Sequence, residues 1–204
     1  MTKKKNGILS AAIGMVLAMT IICGVIYTAV VTGIGNILFG NKANGSIIEV
    51  DGIKYGSELF AQDFSDESHM WGRIMNLNTT TFQDDDGNYL LYSGPSNLSP
   101  ESDVLKEIIT ERIAMIKEAN PDMKEQQIPE DLVTCSGSGL DPAISTAAAK
   151  YQVHRIAVNN DMTEKEVEAI IKSCTTQKVF GLFGEETVNV LKVNLMIDGI
   201  LEAD

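Results

Sequence analysis

A long uncharged stretch near the start constrains this chain more than any other feature. Lys3, Lys4 and Lys5 are followed by no charged side chain until Lys42. Within this stretch, residues 8–32 are nearly all Ile, Val, Leu, Met, Ala and Gly. At about 1.5 Å of rise per residue the segment is about 37 Å long as a helix, whereas the bilayer hydrocarbon is about 30 Å thick. It therefore predicts a tilted transmembrane helix.

A cleaved signal peptide is the alternative interpretation of this segment. Signal peptides have an apolar region of about 7–15 residues and an A-x-A-like cleavage site, whereas this run is longer and offers no such site. The lysines before the span and the acidic bulk after it indicate a cytoplasmic N-terminus. We therefore predict four parts: a cytoplasmic N-terminus (1–7), a transmembrane helix (8–32), a membrane-exit segment (33–45) and an extracytoplasmic domain (46–204).

Small side chains recur every four residues along the predicted span, at Thr20, Gly24, Thr28 and Thr32. Such a stripe lets a neighbouring helix approach closely, and threonine hydroxyls can hydrogen-bond across the contact. Gly and Thr are also tolerated in membrane helices that have no packing partner. Both interpretations stay open here. The first one predicts a partner helix, and hence a subunit of a larger assembly.

Net charge limits the partners of the domain after the span. Three of the 16 Lys and Arg precede the span, so the rest of the chain carries 13 basic and 28 acidic residues, a net charge of −15. Nucleic acids and anionic lipid surfaces repel such a domain. An acidic surface also attracts cations, although solubility alone is the more common reason for one.

Few residues are available for metal binding or for histidine-based catalysis. Cys23 lies inside the span, while Cys135 and Cys174 stand apart with no C-x-x-C pattern. An exported domain permits a Cys135–Cys174 disulfide, but the sequence cannot show that the two meet. The histidines are His69 and His154. We therefore expect no metal site, no catalytic site and no cofactor site on this chain.

Turn signals predict the strands of the domain. Asp51-Gly52 lies between two β-prone runs and is a two-residue turn that demands positive φ, so residues 46–57 are predicted to form a hairpin. Residues 132–135 are interpreted as a short strand. The acidic run that ends at Gly87 does not fit a calcium loop, because its first ligand would have to be Phe82. We expect a solvated loop there.

Capping signals predict the helices. Ser99-Pro100-Glu101 predicts a helix start, and apolar residues at spacings of three and four predict one buried face until Asn120-Pro121. Asp141-Pro142 predicts a second start, and Thr163 with Glu166 predicts a third through a capping box. Residues 187–201 fit a strand or a helix, and their length favours a helix. The predicted fold is a single N-terminal transmembrane helix followed by a mixed α+β extracytoplasmic domain.

The glycine- and serine-rich run at residues 136–139 invites two enzymatic interpretations. A nucleophile elbow requires G-x-S-x-G, but Ser136 stands where the first glycine around Ser138 belongs. A phosphate cradle requires a following lysine or a third glycine, and Asp141 at its mouth would repel phosphate. A tight turn is favoured. An independent membrane-anchored serine hydrolase using Ser138 and His154 remains an alternative function, as does a lone extracytoplasmic cation-binding module.

Several motifs in a fixed order resemble one family, the C subunits of Kdp-type potassium-transporting P-type ATPases. The most specific motif runs over residues 128–142, and others lie at 43–46, 93–98 and 188–195, so the resemblance covers essentially the whole chain. The motif residues carried over from it are Asn44, Gly45, Ser46, Gln62, Arg73, Ser96, Asn97, Asp131, Ser136, Gly137, Ser138, Gly139, Asp141, Pro142, Gln152, Arg155, Asn189 and Asn194.

The chain departs from the family pattern at four places. Lysines replace an Arg-Pro pair before the span, and Tyr27-Thr28 stands where a tyrosine-proline pair is usual. Ile74-Met75 follows Arg73 where Pro-Ser is usual. Ala143 occupies the position of a family histidine after Asp-Pro, which argues against a histidine role there.

The resemblance implies an accessory subunit with no catalytic site of its own. In such complexes a channel-like subunit selects K⁺, a P-type ATPase subunit hydrolyses ATP, and the C subunit is needed for assembly. C subunits of this family have been described as catalytic chaperones that raise the ATP affinity of the ATPase subunit. The expected partners are those two subunits and the lipid bilayer, and the complex handles K⁺ and ATP. With the domain outside the cell, an effect on ATP is expected to travel through the span and the partner subunits, as a coupling between sites.

Overall fold

In a computed structural model the chain divides into two units, residues 1–47 and 48–204. The structure describes residues 2–123 and 125–202, and the side chains of residues 2–6 lie outside this description. Lys3, Lys4 and Lys5, on which the predicted orientation depends, are among those side chains. The orientation therefore stays a prediction.

The first unit is a long helix made of three consecutive segments. α1 is Thr2–Met19, a π-helical segment covers Thr20–Tyr27, and α2 is Thr28–Ala43. The stretch Gly7–Ala43 is long and apolar enough to cross a bilayer, and it includes the predicted span. At about 1.5 Å per residue it is about 55 Å long, so either it tilts strongly or part of it lies beyond the hydrocarbon.

Three motif residues end this helix. The side chain of Asn44 donates a hydrogen bond to the carbonyl of Gly40 at 2.7 Å. Gly45 and Ser46 then take positive φ values of 93° and 50°, and the Ser46 N–H donates back to the carbonyl of Asn41 at 2.9 Å. Left-handed residues after a helix are a common stop signal. The motif at residues 44–46 therefore has a local structural role.

The second unit contains two hairpins and a three-stranded sheet. Its strands are β1 (Ile47–Val50), β2 (Ile53–Ser57), β3 (Leu77–Gln83), β4 (Tyr89–Ser93), β5 (Ala143–Ser145), β6 (Thr175–Thr176) and β7 (Thr187–Asn189). β1 pairs with β2, β3 with β4, and the sheet has the order β5-β7-β6. The predicted Asp51-Gly52 hairpin is confirmed, with φ values of 52° and 79° at the two turn residues, as a type I′ turn requires.

Five helices complete this unit and confirm the mixed α+β class. They are α3 (Asp103–Ala119), α4 (Thr146–Tyr151), α5 (Val153–Asn159), α6 (Glu164–Ser173) and α7 (Val190–Ile197), with short 3₁₀ helices at Pro121–Met123 and Glu130–Leu132. The main core combines buried side chains from α4 to α7 with Ile144 of β5 and Val188 of β7, which face each other in register. A second cluster joins Ile48 of β1 to α7 through Leu191 and Leu195.

The helix boundaries agree with the capping signals in part. The capping box of α6 is confirmed, because Thr163 and Glu166 each accept the backbone N–H of the other. The predicted start at Ser99 is wrong, and α3 begins at Asp103. Ser99 instead accepts the Ser102 N–H at 2.8 Å in a turn that precedes the helix. The stop at Asn120 is confirmed.

The predicted buried face of α3 is also wrong over most of its length. Ile116 and Ala119 are buried, but Val104 and Ile108 nearer the start of the helix are 55% and 38% exposed. The apolar spacing correctly marks one face of the helix. In this chain, that face is fully covered only at its C-terminal end, and Leu105, Ile109 and Ile113 are half-buried.

The predicted helix start at Asp141-Pro142 is wrong because a strand intervenes. Asp141 accepts the Ala143 N–H at 3.0 Å, and β5 follows before α4 begins. The cap of α4 is Ser145, and motif residue Asp131 holds it by accepting its N–H at 2.5 Å and its hydroxyl at 3.2 Å. β5 forms because it pairs with β7 more than forty residues later in the chain, a contact that local sequence does not reveal.

Two further segments differ from prediction. Residues 132–135 are not a strand; they leave a 3₁₀ helix, and Cys135 alone forms a single bridge, to Ile74. Residues 187–201 contain both predicted classes, since β7 occupies the first three positions and α7 follows. The alternating and the helical patterns in that segment each describe part of it.

Candidate functional site

A segment at residues 66–73 turns at residues 66–69, enters the core of the second unit at Met70 and Trp71, and belongs to none of the described strands. Two buried side-chain amides bond to it as a neighbouring strand would. Gln152 accepts the Trp71 N–H at 2.8 Å and donates to the Trp71 carbonyl at 3.0 Å. Asn194 does the same to Met70, at 2.7 and 3.0 Å. We call these contacts the polar clamp, and both amides are residues of the family motifs.

Arg155, a third motif residue, extends the polar clamp. It is only 4% exposed, and its Nη1 donates to the carbonyls of Glu67 and His69, the latter at 2.9 Å. Its Nη2 donates to Gln152 at 2.7 Å, and its guanidinium carbon lies 4.7 Å from the centroid of the Trp71 ring. Burial lowers the pKa of Arg155 to about 10, so the side chain is still charged at neutral pH.

Sequence reasoning missed two residues that hold the same segment. Arg112 of α3 donates to the carbonyl of Gly72 at 3.0 Å and lies 5.3 Å from the Trp71 ring centroid. Asn160 donates to the carbonyl of Ser68 at 2.7 Å. Both act on backbone carbonyls far away in the chain, and no spacing rule links such partners. An Arg within an apolar helix face was the only available signal.

The motif loop at residues 136–141 is held by its own hydroxyls. Ser136 Oγ accepts the N–H groups of Gly139 and Asp141, at 3.0 and 3.3 Å. Ser138 Oγ accepts the Leu140 N–H at 3.2 Å. An anion bound here would need these N–H groups as donors. The loop already uses them, which agrees with the tight turn favoured from the sequence.

Gly139 fits this loop against a neighbouring backbone. Its φ is +73°, and a Cβ atom there would lie 2.6 Å from the Gly94 carbonyl oxygen and 2.8 Å from that of Asn76. Its own carbonyl accepts the Asn76 N–H at 3.0 Å. Gly137 differs, because a Cβ on it would meet nothing within 4 Å. Of the two glycines, only Gly139 is required by the geometry.

The alternative hydrolase residues do not form a catalytic pair. His154 places Nδ1 at 2.7 Å from Glu164 and Nε2 at 2.9 Å from Asp122, so both ring nitrogens already have carboxylate partners. The hydrogen bond to Glu164 is the main reason that the pKa of His154 is raised. Ser138 instead shares a 3.3 Å hydrogen bond with Ser136. A serine nucleophile needs a base within hydrogen-bond reach, and His154 does not serve as one here.

Other motif residues hold chain segments around the second cluster and the ends of the sheet. Gln62 donates to the carbonyl of Tyr55 in β2 at 2.8 Å. Asn189 caps α7 and donates to the carbonyl of Glu58 at 2.9 Å. The Pro142 carbonyl accepts the first N–H of α7 at 3.0 Å. These residues act through the backbone, as the clamp residues do.

Arg73 and Ser96 are motif residues that line grooves on the surface of the domain. Both line a groove of about 420 Å³ beside α3, and Arg73 also lines a neighbouring groove of about 390 Å³. Asn97 next to Ser96 is exposed and has a φ of 52°, a conformation that Asn tolerates better than most residues.

The small-residue stripe of the span coincides with the π-helical segment. Thr20 and Gly24 lie within it and Thr28 follows directly. In an α-helix, steps of four residues overshoot a full turn by about 40° each, so three steps drift by about 120°. A π-helix closes i to i+5 hydrogen bonds and has a wider turn, which reduces this drift. The Thr28 hydroxyl already donates to the Cys23 carbonyl at 3.3 Å, and the partner contact of the stripe stays a prediction.

The remaining chemistry-bearing residues do not come together. Cys135 and Cys174 are free thiols, and burial raises the pKa of Cys174. Within residues 2–123 and 125–202, no three His, Cys, Asp or Glu side chains are grouped as a metal site. The acidic turn at Asp84 is hydrogen-bonded internally, with the carboxylate accepting the N–H groups of Asp86 and Asn88.

Comparison with known proteins points to one family. Residues 9–199 match the family described as KdpC, K⁺-transporting ATPase, c chain. Proteins named "Potassium-transporting ATPase KdpC subunit" from Clostridium botulinum and Clostridium perfringens are 56% and 54% identical, over 98% and 95% of this chain and 100% and 98% of their own lengths. One of the same name from Ralstonia nicotianae is 42% identical over 94% of this chain and 91% of its own.

Gly139→Ala is expected to destabilise the domain by about 1–3 kcal/mol, through positive-φ strain and a clash with backbone that cannot easily move. Gly137→Ala is the matched control and is expected to stay within about 0.5 kcal/mol of the parent. Unfolding by urea can be followed in the solubilised full chain through fluorescence, since its one Trp lies in the domain core. Equal stability of the two variants would contradict this role of Gly139.

His69 connects residues 66–71 to the end of α7 and makes stability depend on pH. Its Nδ1 lies 2.7 Å from Asp66 and its Nε2 lies 2.9 Å from Asp198. Burial alone would lower the pKa of His69, but the hydrogen bonds and charges of the two carboxylates outweigh it and raise the pKa. Burial works against ionisation of Asp66 too, yet hydrogen bonds from Ser68 and His69 lower its pKa to about 2.

The domain is therefore expected to be most stable between about pH 4 and pH 6.5. The His69 contribution is complete below its unfolded pKa of about 6.5 and is lost as pH rises through the raised folded value. The Asp66 contribution is present above about pH 4 and is lost as pH falls towards 2. The melting temperature measured at pH 6 and pH 8 checks this. In His69→Gln the fall in melting temperature between pH 6 and pH 8 should become smaller. The fall that remains is the contribution of His154, which also has a raised pKa. A fall as large as in the parent chain would contradict the assignment to His69.

Proposed function

The chain belongs to the KdpC family of K⁺-transporting ATPase c chains, and we propose that within that complex it is a non-catalytic accessory subunit. One observation carries the proposal: most of the polar motif residues that the structure describes are occupied by the fold itself. Gln152, Arg155 and Asn194 hold backbone groups, and Ser136 and Ser138 close their own loop. A catalytic site needs such groups aimed at a substrate position.

In this proposal the N-terminus is cytoplasmic and the domain is extracytoplasmic. The lysine cluster before the span and the net charge of −15 after it support that orientation. ATP is then out of reach of the domain. Hydrolysis of ATP belongs to a P-type ATPase subunit and selection of K⁺ to a channel-like subunit, as the family resemblance implies. Both are proposed as the partners of this chain in the membrane.

We propose further that the chain raises the ATP affinity of the ATPase subunit through its span. The helical stretch Thr2–Ala43 supports this, because Gly7–Ala43 is long and apolar enough to reach across a bilayer, with one kink at Phe39. Such an effect is a coupling free energy between two sites, typically about 1–3 kcal/mol, and it is reciprocal. Bound ATP should then also tighten the binding of this chain to its complex.

The partner subunits purified without this chain are expected to bind ATP about 5–150-fold more weakly than after the purified chain is added back, the range that this coupling energy covers. The measurement is ATP affinity by titration before and after that addition. An Asp85→Cys variant, at an exposed turn, provides the control for sidedness, since an impermeant maleimide should label it from outside intact cells. Labelling only after the membrane is opened would contradict the orientation, and an unchanged ATP affinity would contradict the coupling.

Gly24→Leu is expected to disrupt assembly, because it adds bulk to the small-residue stripe where a partner helix would approach. The helix itself tolerates the change, since the nearest side-chain atom to an added Cβ is 4.0 Å away, on Thr20. Gly14→Leu is the matched control on the same helix, with nothing within 4 Å. Co-purification of the other subunits with the tagged chain measures the result. Full assembly of the Gly24 variant would contradict the packing role of the stripe and would indicate that the span only anchors the chain in the membrane.

A further inference from the structure

Arg73 is the least satisfied arginine among those that the structure describes in the domain. Its side chain is half-buried, and its one hydrogen bond within the described residues is a long one, from Nη2 to Thr134 Oγ1 at 3.5 Å. Its Nε is buried with no partner. A guanidinium offers five N–H donors, so most of its donor capacity is unused. The remaining donors are therefore available to a group that enters from outside the domain.

The two other arginines of the described domain make more contacts than Arg73, although the Nε of Arg155 is also buried without a partner. Arg155 and Arg112 each donate to two or more acceptors, and each lies over the Trp71 ring. Arg73 has neither arrangement. In the described residues no carboxylate lies within 4 Å of it, although the segment after the span is rich in acids. An external anion is the group that its surroundings lack.

Of the two grooves that Arg73 lines, the one of about 420 Å³ has mainly apolar walls, whereas the one of about 390 Å³ is mixed. α3 supplies one wall through its uncovered apolar face, and the groove of about 420 Å³ is lined by Leu98, Leu105, Ile108, Ile109 and Val133. Glu130 lines this groove as well, and Asp63 and Glu111 line the other, but none of the three pairs with Arg73. The grooves therefore combine aliphatic contact surface with one cation that is free to bind.

We propose that the grooves around Arg73 bind a segment of another subunit of the transport complex, in which one carboxylate lies beside aliphatic side chains. The carboxylate accepts hydrogen bonds from Arg73, a charge-assisted contact that is stronger than a neutral one. The aliphatic side chains cover the open face of α3 and exclude water from the pair. This inference rests on the proposed function only in that the chain has subunit partners.

Charge argues against the other occupants. A bilayer surface with anionic headgroups presents many negative charges to a domain with a net charge of −15, and a second copy of the chain repeats that charge. A protein segment needs to bring only one carboxylate. Glu130, Asp63 and Glu111 line the grooves and oppose it at short range, whereas repulsion from acids more than about 8 Å away is screened at physiological salt. A single carboxylate on a mostly apolar segment is therefore the occupant that the groove favours.

The test uses the full chain, tagged and co-expressed with the other subunits of its complex in membranes. Arg73→Gln is expected to lower the co-purified amount of the other subunits by about tenfold or more, as loss of a buried charged contact does in other interfaces. Its domain stability, followed by tryptophan fluorescence, should stay unchanged, because Arg73 has one long hydrogen bond to lose. Lys117→Gln, at an exposed lysine of α3, removes the same charge and should leave both quantities unchanged.

Ile108→Glu is the second variant, since Ile108 lines both grooves together with Arg73. The new carboxylate should occupy Arg73 and block assembly without destabilising the domain. A photo-crosslinking residue at position 108 identifies the occupant: a crosslink to another subunit supports the proposal, and one to lipid or to a second copy overturns it. The proposal would also be overturned if Arg73→Gln assembled as well as the wild-type chain, or if that variant lost assembly and domain stability to the same extent. Failure of the unaltered chain to co-purify would instead contradict the proposed function.

Discussion

The domain depends on how residues 66–73 satisfy their backbone groups inside the core. A buried N–H or C=O without a partner costs about 1–3 kcal/mol, and this segment lies in no described strand that would supply partners. Gln152 and Asn194 supply them instead, as amides that both donate and accept. One residue lies at the junction of α4 and α5 and the other lies in α7, so the clamp also joins elements that are distant in the chain. Met70 and Trp71 enter the core at 0% and 4% exposure because of it.

The same segment explains why two arginines lie in an acidic domain's interior. Burial lowers the pKa of both Arg155 and Arg112, and the charge of Arg112 lowers the pKa of Arg155 further. Backbone carbonyls and the Trp71 ring offset that cost. Replacing either arginine would leave carbonyls of the segment without donors. These residues therefore act structurally, by holding the backbone of residues 66–73. For this reason a polar residue of a family motif need not mark a reaction site.

Local signals in the sequence were sufficient where a turn or cap is decided by neighbouring residues. The Asp51-Gly52 hairpin and the Thr163–Glu166 capping box are examples. Local signals failed where contacts with distant residues determine the structure. β5 forms where a helix start was predicted at Asp141, because β7 pairs with it. The apolar face of α3 stays largely open, because no other element of the described domain covers it. For the candidate site, the sequence supplied the motif residues through resemblance. It could not show that Gln152 and Asn194 turn inward onto backbone while Arg73 borders a groove.

The short connection between the span and the domain strengthens binding when both parts contact the same complex. Only residues 44–46 separate the end of α2 from the start of β1, so once a partner helix holds the span, the domain is confined near the same complex. The second contact then becomes intramolecular, with an effective concentration that short linkers raise into the millimolar range. A groove that offers one charged hydrogen-bonded pair and a few aliphatic contacts is too small to hold a free partner tightly. Because the groove is joined to a membrane helix, it has only to orient a partner that is already present. One half-buried arginine is enough for that.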